Sequence, residues 1–222
     1  MHSRIDGVLT KAEVADLRRR IDASPFADGS EGIGGAADQV KKNLQMREDI
    51  PAYKEIAEWL LRKVGENRTI QHLVYPKMMM PPLISRYEPG MTYGTHVDAP
   101  FFRNGTLRSD VSMTLFLSEP DEYTGGELVI QQGGGETFVK LPAGDAFVYP
   151  TTYLHRVAPV TGGARLAAVT WFQSYIREER YREIAAQLTK VKQGLERNPA
   201  MTAEADLLRA VLNNLLREWW TP

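Results

Sequence analysis

Between Lys77 and Ile176 the chain is cut into short β-branched and aromatic runs, "PPLISRYEPG", "VSMTLFLS", "GGELVIQQGGGETFVKLPAGDAFVYP", "HRVAPV" and "RLAAVTWFQ", separated by Pro and Gly. Turn signals this closely spaced leave no room for the helical crossovers that parallel strands require, so the segment predicts a sandwich or barrel rather than βαβ units. Before and after it the spacing turns helical. "TKAEVADLRRRI" opens with Thr10 and Glu13 in capping-box positions and continues with Val14, Leu17 and Ile21 on one helix face. A Gly-rich break, "ADGSEGIGGAAD", leads to "QVKKNLQM" and a second helical stretch near "YKEIAEWLLRKV", and these helices are expected to brace a sheet. Beyond Ile176, Leu208, Val211, Leu212, Leu215 and Trp219 form one wide stripe, expected to be buried against the barrel or a second subunit. The predicted fold is α+β: a double-stranded β-helix (jelly roll) core at 78–176, an N-terminal helical support at 1–77 and a C-terminal helical extension at 177–222.

Charge and composition narrow the chemistry. The 27 basic and 28 acidic side chains leave a net charge of -1, which gives no general attraction to nucleic acid or to an anionic membrane. There is no cysteine, so disulfides, thiolate metal sites and cysteine nucleophiles are excluded and only nitrogen and oxygen ligands remain. The first residues lack the apolar core of a signal peptide, and no apolar run approaches membrane-spanning length, which reads as a cytoplasmic protein.

Of the four histidines, His2 is near the terminus and His72 lies in the helical support, which leaves His96 and His155 in the strand-rich middle. His96 sits in "YGTHVDAP" with Asp98 two positions on. Alone, His-x-Asp is a weak signal, more often a solvated pair than a ligand pair. A jelly roll can bring an early and a late strand face to face, so that His96, Asp98 and His155 meet in its mouth. Two neutral imidazoles and one carboxylate form the facial triad of non-haem iron(II), with three adjacent positions left open.

Arg165 adds an independent constraint. It shares a strand face with Ala167, Val169 and Trp171, where a guanidinium is costly unless an anion pairs with it. A dicarboxylate held at one end by the metal would supply that anion through a bidentate contact; an internal Glu or Asp is the alternative.

The stretch "RYEPGMTYGTHVDAP", continued through "RSDVSMTLFLSEP", "YTGGELVI", "VKLPAGDAFVYP", "LHRVAPVTGGAR" and "WFQSYIR", resembles the prolyl-4-hydroxylase-like branch of iron(II)/2-oxoglutarate dioxygenases. Within it the closest resemblance is to the bacterial PKHD-type hydroxylases, a group linked with iron uptake. The resemblance covers 86–177 nearly without gaps, and "VKKNLQ" and the helical tail resemble that group too. It implies that His96, Asp98 and His155 ligate iron, that Arg165 holds the distal carboxylate of 2-oxoglutarate, and that Tyr87 adds a hydrogen bond to this co-substrate. It further implies hydroxylation of a C–H bond in a small-molecule or peptidyl substrate with O2 as second co-substrate, release of succinate and CO2, and ascorbate as a supporting cofactor. The carboxylate of Asp98 argues for hydroxylation, since its loss would open a position for halide.

Substrate contacts are expected from Tyr93 and from "FFRNGTLRSD", where Phe101 and Phe102 offer contact area, Gly105 a hinge and Arg103 and Arg108 positive charge beside the metal; a solvated loop is the alternative. Both tyrosines could equally be core residues with satisfied hydroxyls. Asp145 and Glu127 read as turn carboxylates, "QQGGGE" as a hairpin tip, and Met78 to Met80 as apolar packing. A rival function is a non-catalytic jelly-roll module or sensor that binds metal or a small acid. A homo-oligomer is expected.

Overall fold

The structure, a computed structural model, describes residues 2–30 and 40–221. In the first third the elements are β1 (Ser3–Ile5), α1 (Lys11–Asp22), β2 (Phe26–Asp28), β3 (Lys41–Lys42), β4 (Leu44–Met46), α2 (Pro51–Glu66), α3 (Arg68–Val74) and β5 (Pro76–Met79). The middle holds β6 (Leu83–Tyr87), β7 (Thr92–His96), β8 (Phe101–Phe102), β9 (Leu107–Arg108), β10 (Val111–Phe116), β11 (Tyr123–Gly125), β12 (Leu128–Gln132), β13 (Gly135–Val139), β14 (Ala146–Pro150), β15 (Leu154–Val157), β16 (Val160–Gly163) and β17 (Arg165–Ser174). Two helices follow, α4 (Glu179–Leu195) and α5 (Thr202–Trp219).

Two antiparallel sheets carry the site. The larger has the order β1-β14-β10-β17-β6-β4-β2, with β5 also pairing on β17; the smaller has the order β13-β12-β15-β7-β3. Several successive strands alternate between them, so that β6 and β7, or β14 and β15, end up in opposite sheets, whereas β12 and β13 form a hairpin within the smaller one.

The pleat of the larger sheet separates two environments. Val111, Met113 and Leu115 of β10, Ala146 and Val148 of β14, Ile84 of β6, and Leu166, Ala168 and Phe172 of β17 join one apolar cluster with α1, α2 and α3. That cluster takes up Val14, Leu17 and Ile21 of α1 and Ile56, Leu60 and Val64 of α2, as the helical spacing predicted. The alternate residues point to the smaller sheet. Phe116, Leu128, Ile130, Phe147 and Tyr149 form a second apolar cluster between the sheets, and beside it, with Leu128 and Tyr149 on its wall, a cavity of about 600 Å³ remains. A one-residue slip of β17 would turn Arg165 into the helix-covered core.

Local details follow the same chemistry. Thr10 and Glu13 form the capping box, Glu13 accepting from the Thr10 amide at 2.8 Å and Thr10 Oγ1 accepting from the Glu13 amide at 3.3 Å. Gly133 and Gly134, both at positive φ (59° and 83°), make the two-residue tip between β12 and β13, a turn that side-chain-bearing residues adopt poorly. Asp145 accepts from Arg4 and from the Gly7 amide, each at 2.8 Å, and so is the structural carboxylate expected.

Three sequence expectations are refined. Of the Gly-rich break, residues 31–39 lie outside the described residues. "QVKKNLQM", placed with the helical support, supplies β3 to the smaller sheet and β4 to the larger, its β-tendency being fixed by pairing with β7 and β6. The C-terminal stripe is covered by α4, not by the sheets: Ala205 and Leu212 are buried, Leu216 and Trp219 pack around Ala185, Leu188 and Tyr181, and Val211 is left 44% exposed. A single partner helix covers a narrower seam than a sheet face does. Among the described residues no helix is long and apolar enough to cross a membrane.

Glu13 is held down to a pKa of about 2, chiefly by the Lys63 ammonium and then by its bonds to Thr10, against an ordinary value of 4.5. A carboxylate with a depressed folded-state pKa stabilises above the unfolded value and loses that contribution as pH falls through the folded one. We therefore expect the melting temperature of Glu13→Gln to lie below the wild type's at pH 7. The gap should close between about pH 4.5 and pH 2 in thermal unfolding monitored by circular dichroism.

Candidate functional site

His96 ends β7, and its strand neighbour β15 carries His155 directly opposite it in antiparallel register. The two imidazoles therefore meet side by side in one sheet, with ring centroids 4.3 Å apart, and not across facing sheets. Asp98, two residues past the end of β7, brings its Oδ1 to 3.7 Å from His96 Nε2 and 3.5 Å from His155 Nε2. The three ligand atoms all lie within 4.8 Å of one another. Donors on adjacent positions of an octahedral ion at about 2.1 Å stand about 3 Å apart, so the group need contract only slightly to close on one ion.

Each donor is aimed by a partner behind it. His96 Nδ1 lies 2.8 Å from the Gly94 carbonyl and His155 Nδ1 lies 3.0 Å from the Tyr153 carbonyl. Both Nδ1 atoms must then carry the proton, which leaves the Nε2 lone pairs free toward Asp98. Ser112 of β10 donates to Asp98 Oδ2 at 2.6 Å, fixing that oxygen and turning Oδ1 to the histidines. Tyr93 stacks on His96 at 3.7 Å and Tyr149 meets His155 edge-on at 5.0 Å. Burial would raise the Asp98 pKa, yet before an ion binds, protons on His155 and His96 and the Ser112 hydroxyl outweigh it and hold the carboxyl well below its usual range; a bound cation would take the place of those Nε2 protons. On His155, burial is likewise outweighed, and Asp98 raises the pKa.

Arg165, the first residue of β17, lines the same cavity and is 1% exposed. Its guanidinium lies 5.2 Å from the Tyr87 ring centroid and 5.6 Å from that of Phe116. Among the described residues its Nε has no hydrogen-bond partner and no carboxylate ion-pairs with it. The internal Glu or Asp that the sequence left open as its counter-ion is thus not found there. A buried guanidinium between aromatic rings, in a cavity that also holds a His-Asp-His group, fits a ligand with one carboxylate for the arginine and further oxygens for the metal. Tyr87, directly opposite Arg165 in register, is buried, and burial pushes its pKa up, only partly offset by the Arg165 charge and the Asn43 side chain. Its hydroxyl stays protonated near neutrality and can donate.

The remaining sequence candidates divide. Tyr93, Phe102 and Arg103 line the cavity, Phe102 packing on Trp171 with centroids 4.7 Å apart. Arg103, Asn104 and Gly105 all have positive φ (50°, 54° and 87°) and turn the β8–β9 hairpin. Phe101, 57% exposed, is off the cavity wall. Arg108 is off it too: it grips Asp110 through two bonds of 2.7 and 2.9 Å and donates to the Ser174 carbonyl, so its charge serves the end of β17 and not the metal mouth. Sequence reasoning missed Ser112 and also Lys41, Gln45 and Glu48 on the wall. Ser112 and Thr114 carried a readable signal, two hydroxyls on the inward positions of an otherwise apolar strand.

Comparison with known proteins agrees with this geometry. Residues 82–173 match the model of the 2OG-Fe(II) oxygenase superfamily. The chain is 43% identical to a PKHD-type hydroxylase of Thermosynechococcus vestitus and 44% identical to one of Stenotrophomonas maltophilia, each alignment covering 97% of both chains. Among solved structures it is similar to a prolyl-4-hydroxylase of Pseudomonas putida (TM-score 0.52, 24% identity, 78% of this chain and 92% of that one). It is also similar to HygX of Streptomyces hygroscopicus, solved with nickel and 2-oxoglutarate (TM-score 0.57, 15% identity, 80% and 84% covered). At these identities the structural likenesses show a shared fold.

Ser112→Ala should weaken divalent-metal affinity by about tenfold or more while the fold stays intact, because Asp98 loses the bond that turns Oδ1 inward. Titration with cobalt(II), followed by its visible absorption, measures this.

Proposed function

Because the chain belongs to the PKHD-type hydroxylases of the 2OG-Fe(II) oxygenase superfamily, we propose that it hydroxylates a C–H bond of a small-molecule or peptidyl substrate at the His96–Asp98–His155 group. One observation carries the reading: an imidazole-carboxylate-imidazole group shares a cavity with a buried guanidinium that has no carboxylate partner among the described residues. Bound iron(II), with 2-oxoglutarate and O2, supplies an oxidative decarboxylation whose products are succinate, CO2 and one oxygen atom inserted into the substrate.

The protein's own residues then have distinct tasks. His96, Asp98 and His155 would hold the ion, and the carbonyls of Gly94 and Tyr153 keep the imidazoles in the ligating tautomer. Arg165 neutralises the distal carboxylate of the co-substrate and Tyr87 donates to it. Tyr93, Phe102 and Arg103 bound the side from which the substrate approaches, and the aromatic walls exclude water. Ascorbate would return iron to the divalent state after unproductive turnovers. The crossing from one antiparallel sheet to the other between β6 and β7 and between β14 and β15 supports reading the core as a double-stranded β-helix over 78–176, with 1–77 and 177–222 as accessory segments. The exposed apolar side chains Val191, Leu207 and Val211 on α4 and α5 support the expectation of a homo-oligomer.

With iron(II), ascorbate and 2-oxoglutarate, the wild type should consume O2 and form succinate even without its prime substrate. His155→Ala should show neither. Arg165→Gln should raise the KM for 2-oxoglutarate by about 30-fold or more, since one partner of a buried charge pair is removed. Mass spectrometry of cell extract treated with wild type or His155→Ala, read for a gain of one oxygen, then identifies the substrate. Wild-type protein that binds metal but forms no succinate would assign the fold to a non-catalytic binding module instead.

A further inference from the structure

Behind the carboxylate end of the cavity stand two polar side chains that the reaction as described does not use. Asn43 is the single residue between β3 in the smaller sheet and β4 in the larger, the point at which the chain crosses from one to the other. It is 3% exposed; its side chain stands near enough to the Tyr87 hydroxyl to act on its pKa, yet among the described residues neither Nδ2 nor Oδ1 reaches hydrogen-bond geometry with a partner. The register of β4 on β6 pairs Leu44 with Arg86 and Gln45 with Ser85. Continued by one residue, it sets Asn43 opposite Tyr87, which is itself opposite Arg165. Asn43, Tyr87 and Arg165 thus form one row across three neighbouring strands.

The amide's place is reserved by Gly29, whose amide donates to the Asn43 carbonyl at 2.9 Å. A Cβ on Gly29 would stand 2.1 Å from Asn43 Oδ1. Tyr123 flanks the row from the other side. It pairs with Gly163, two residues before Arg165, and is fixed by Lys140, which donates to its carbonyl at 2.7 Å and lies 4.1 Å over its ring. Its hydroxyl is buried near Arg165 and likewise has no partner in hydrogen-bond geometry among the described residues. Native interiors rarely leave such groups unpaired, and here they stand beside the two residues assigned to the co-substrate.

We propose that Asn43 and Tyr123 are positioning residues for the co-substrate's distal carboxylate: Asn43 orients the Tyr87 hydroxyl, and Tyr123 orients the Arg165 guanidinium, their hydrogen bonds closing when the carboxylate enters. The inference rests on the assignment of Arg165 and Tyr87 to 2-oxoglutarate. Neither residue lies on the cavity wall, so both act through the pair in front of them. Their effect should fall on ligands that possess the distal carboxylate and spare those that lack it.

Calorimetric titration of manganese-loaded protein with 2-oxoglutarate, and separately with pyruvate, a 2-oxo acid without that group, tests this. Asn43→Leu and Tyr123→Phe should each weaken 2-oxoglutarate about five- to tenfold and leave pyruvate unchanged. Gly29→Ala, whose Cβ would crowd the Asn43 amide first and the flexible Gln45 side chain next, should do the same and stands in if Asn43→Leu fails to fold. Tyr123→Phe removes an unpaired buried hydroxyl, so the ligand-free melting temperature should hold or rise while affinity falls, a combination that a merely structural role does not give. Equal weakening toward both ligands, or no change toward either in Asn43→Leu and Tyr123→Phe while Arg165→Gln loses 2-oxoglutarate selectively, overturns the inference and leaves the Arg165 assignment standing. Wild-type protein that binds 2-oxoglutarate no better than pyruvate overturns both.

Discussion

Arg165 carries a full positive charge into a space bounded by the rings of Tyr87 and Phe116, with no carboxylate paired to it among the described residues. Moving such a charge out of water costs several kcal/mol even after relaxation, about as much as the net stability of a small domain. A fold retains it only if the surrounding strands leave it no alternative position. They do: β17 pairs with β10 on one side and β6 on the other, and its opposite face is sealed under α1, α2 and α3. The helical layer is therefore more than a cover, since it forces the odd-numbered residues of β17 to face the cavity.

The same logic explains why the sandwich is solid at one end and hollow at the other. Phe116, Phe147 and Ile130 fill the closed part, Leu128 and Tyr149 stand at its boundary with the cavity, and His96, Asp98, Tyr93 and Arg165 occupy the open part. Polar groups needing partners gather in the void, and their partners come from the rim: two main-chain carbonyls for the histidines and one serine hydroxyl for the aspartate. Antiparallel pairing of β7 with β15 makes the two imidazoles immediate neighbours, so metal geometry depends on a single strand register.

What was legible in the sequence was what periodicity and chemical oddity reveal. Val14, Leu17 and Ile21 announced a helix face, and an arginine among Ala, Val and Trp announced a charge with a purpose. His96 and Asp98 were visible as a pair, but their meeting with His155 depends on which strands are neighbours, and spacing alone does not fix that. Three other features stayed hidden for related reasons. The two short strands at Lys41–Lys42 and Leu44–Met46 owe their form to pairing with distant partners. Arg108 looked free to face the metal because its bidentate hold on Asp110 depends on side-chain direction. The wide C-terminal stripe did not disclose that one helix would cover it.

The last described residues return to the strand that bears Arg165. Trp220 stacks on Tyr175 at 3.8 Å and bridges to Ile176, and the Thr221 amide donates to the Tyr175 carbonyl at 2.7 Å. Tyr175 directly follows β17, so the α4–α5 hairpin is clasped at both of its roots to the trailing end of that strand. Peeling the hairpin away would tug on the ribbon whose leading residue is the guanidinium, which gives the tail a mechanical line to the far wall of the cavity without touching it.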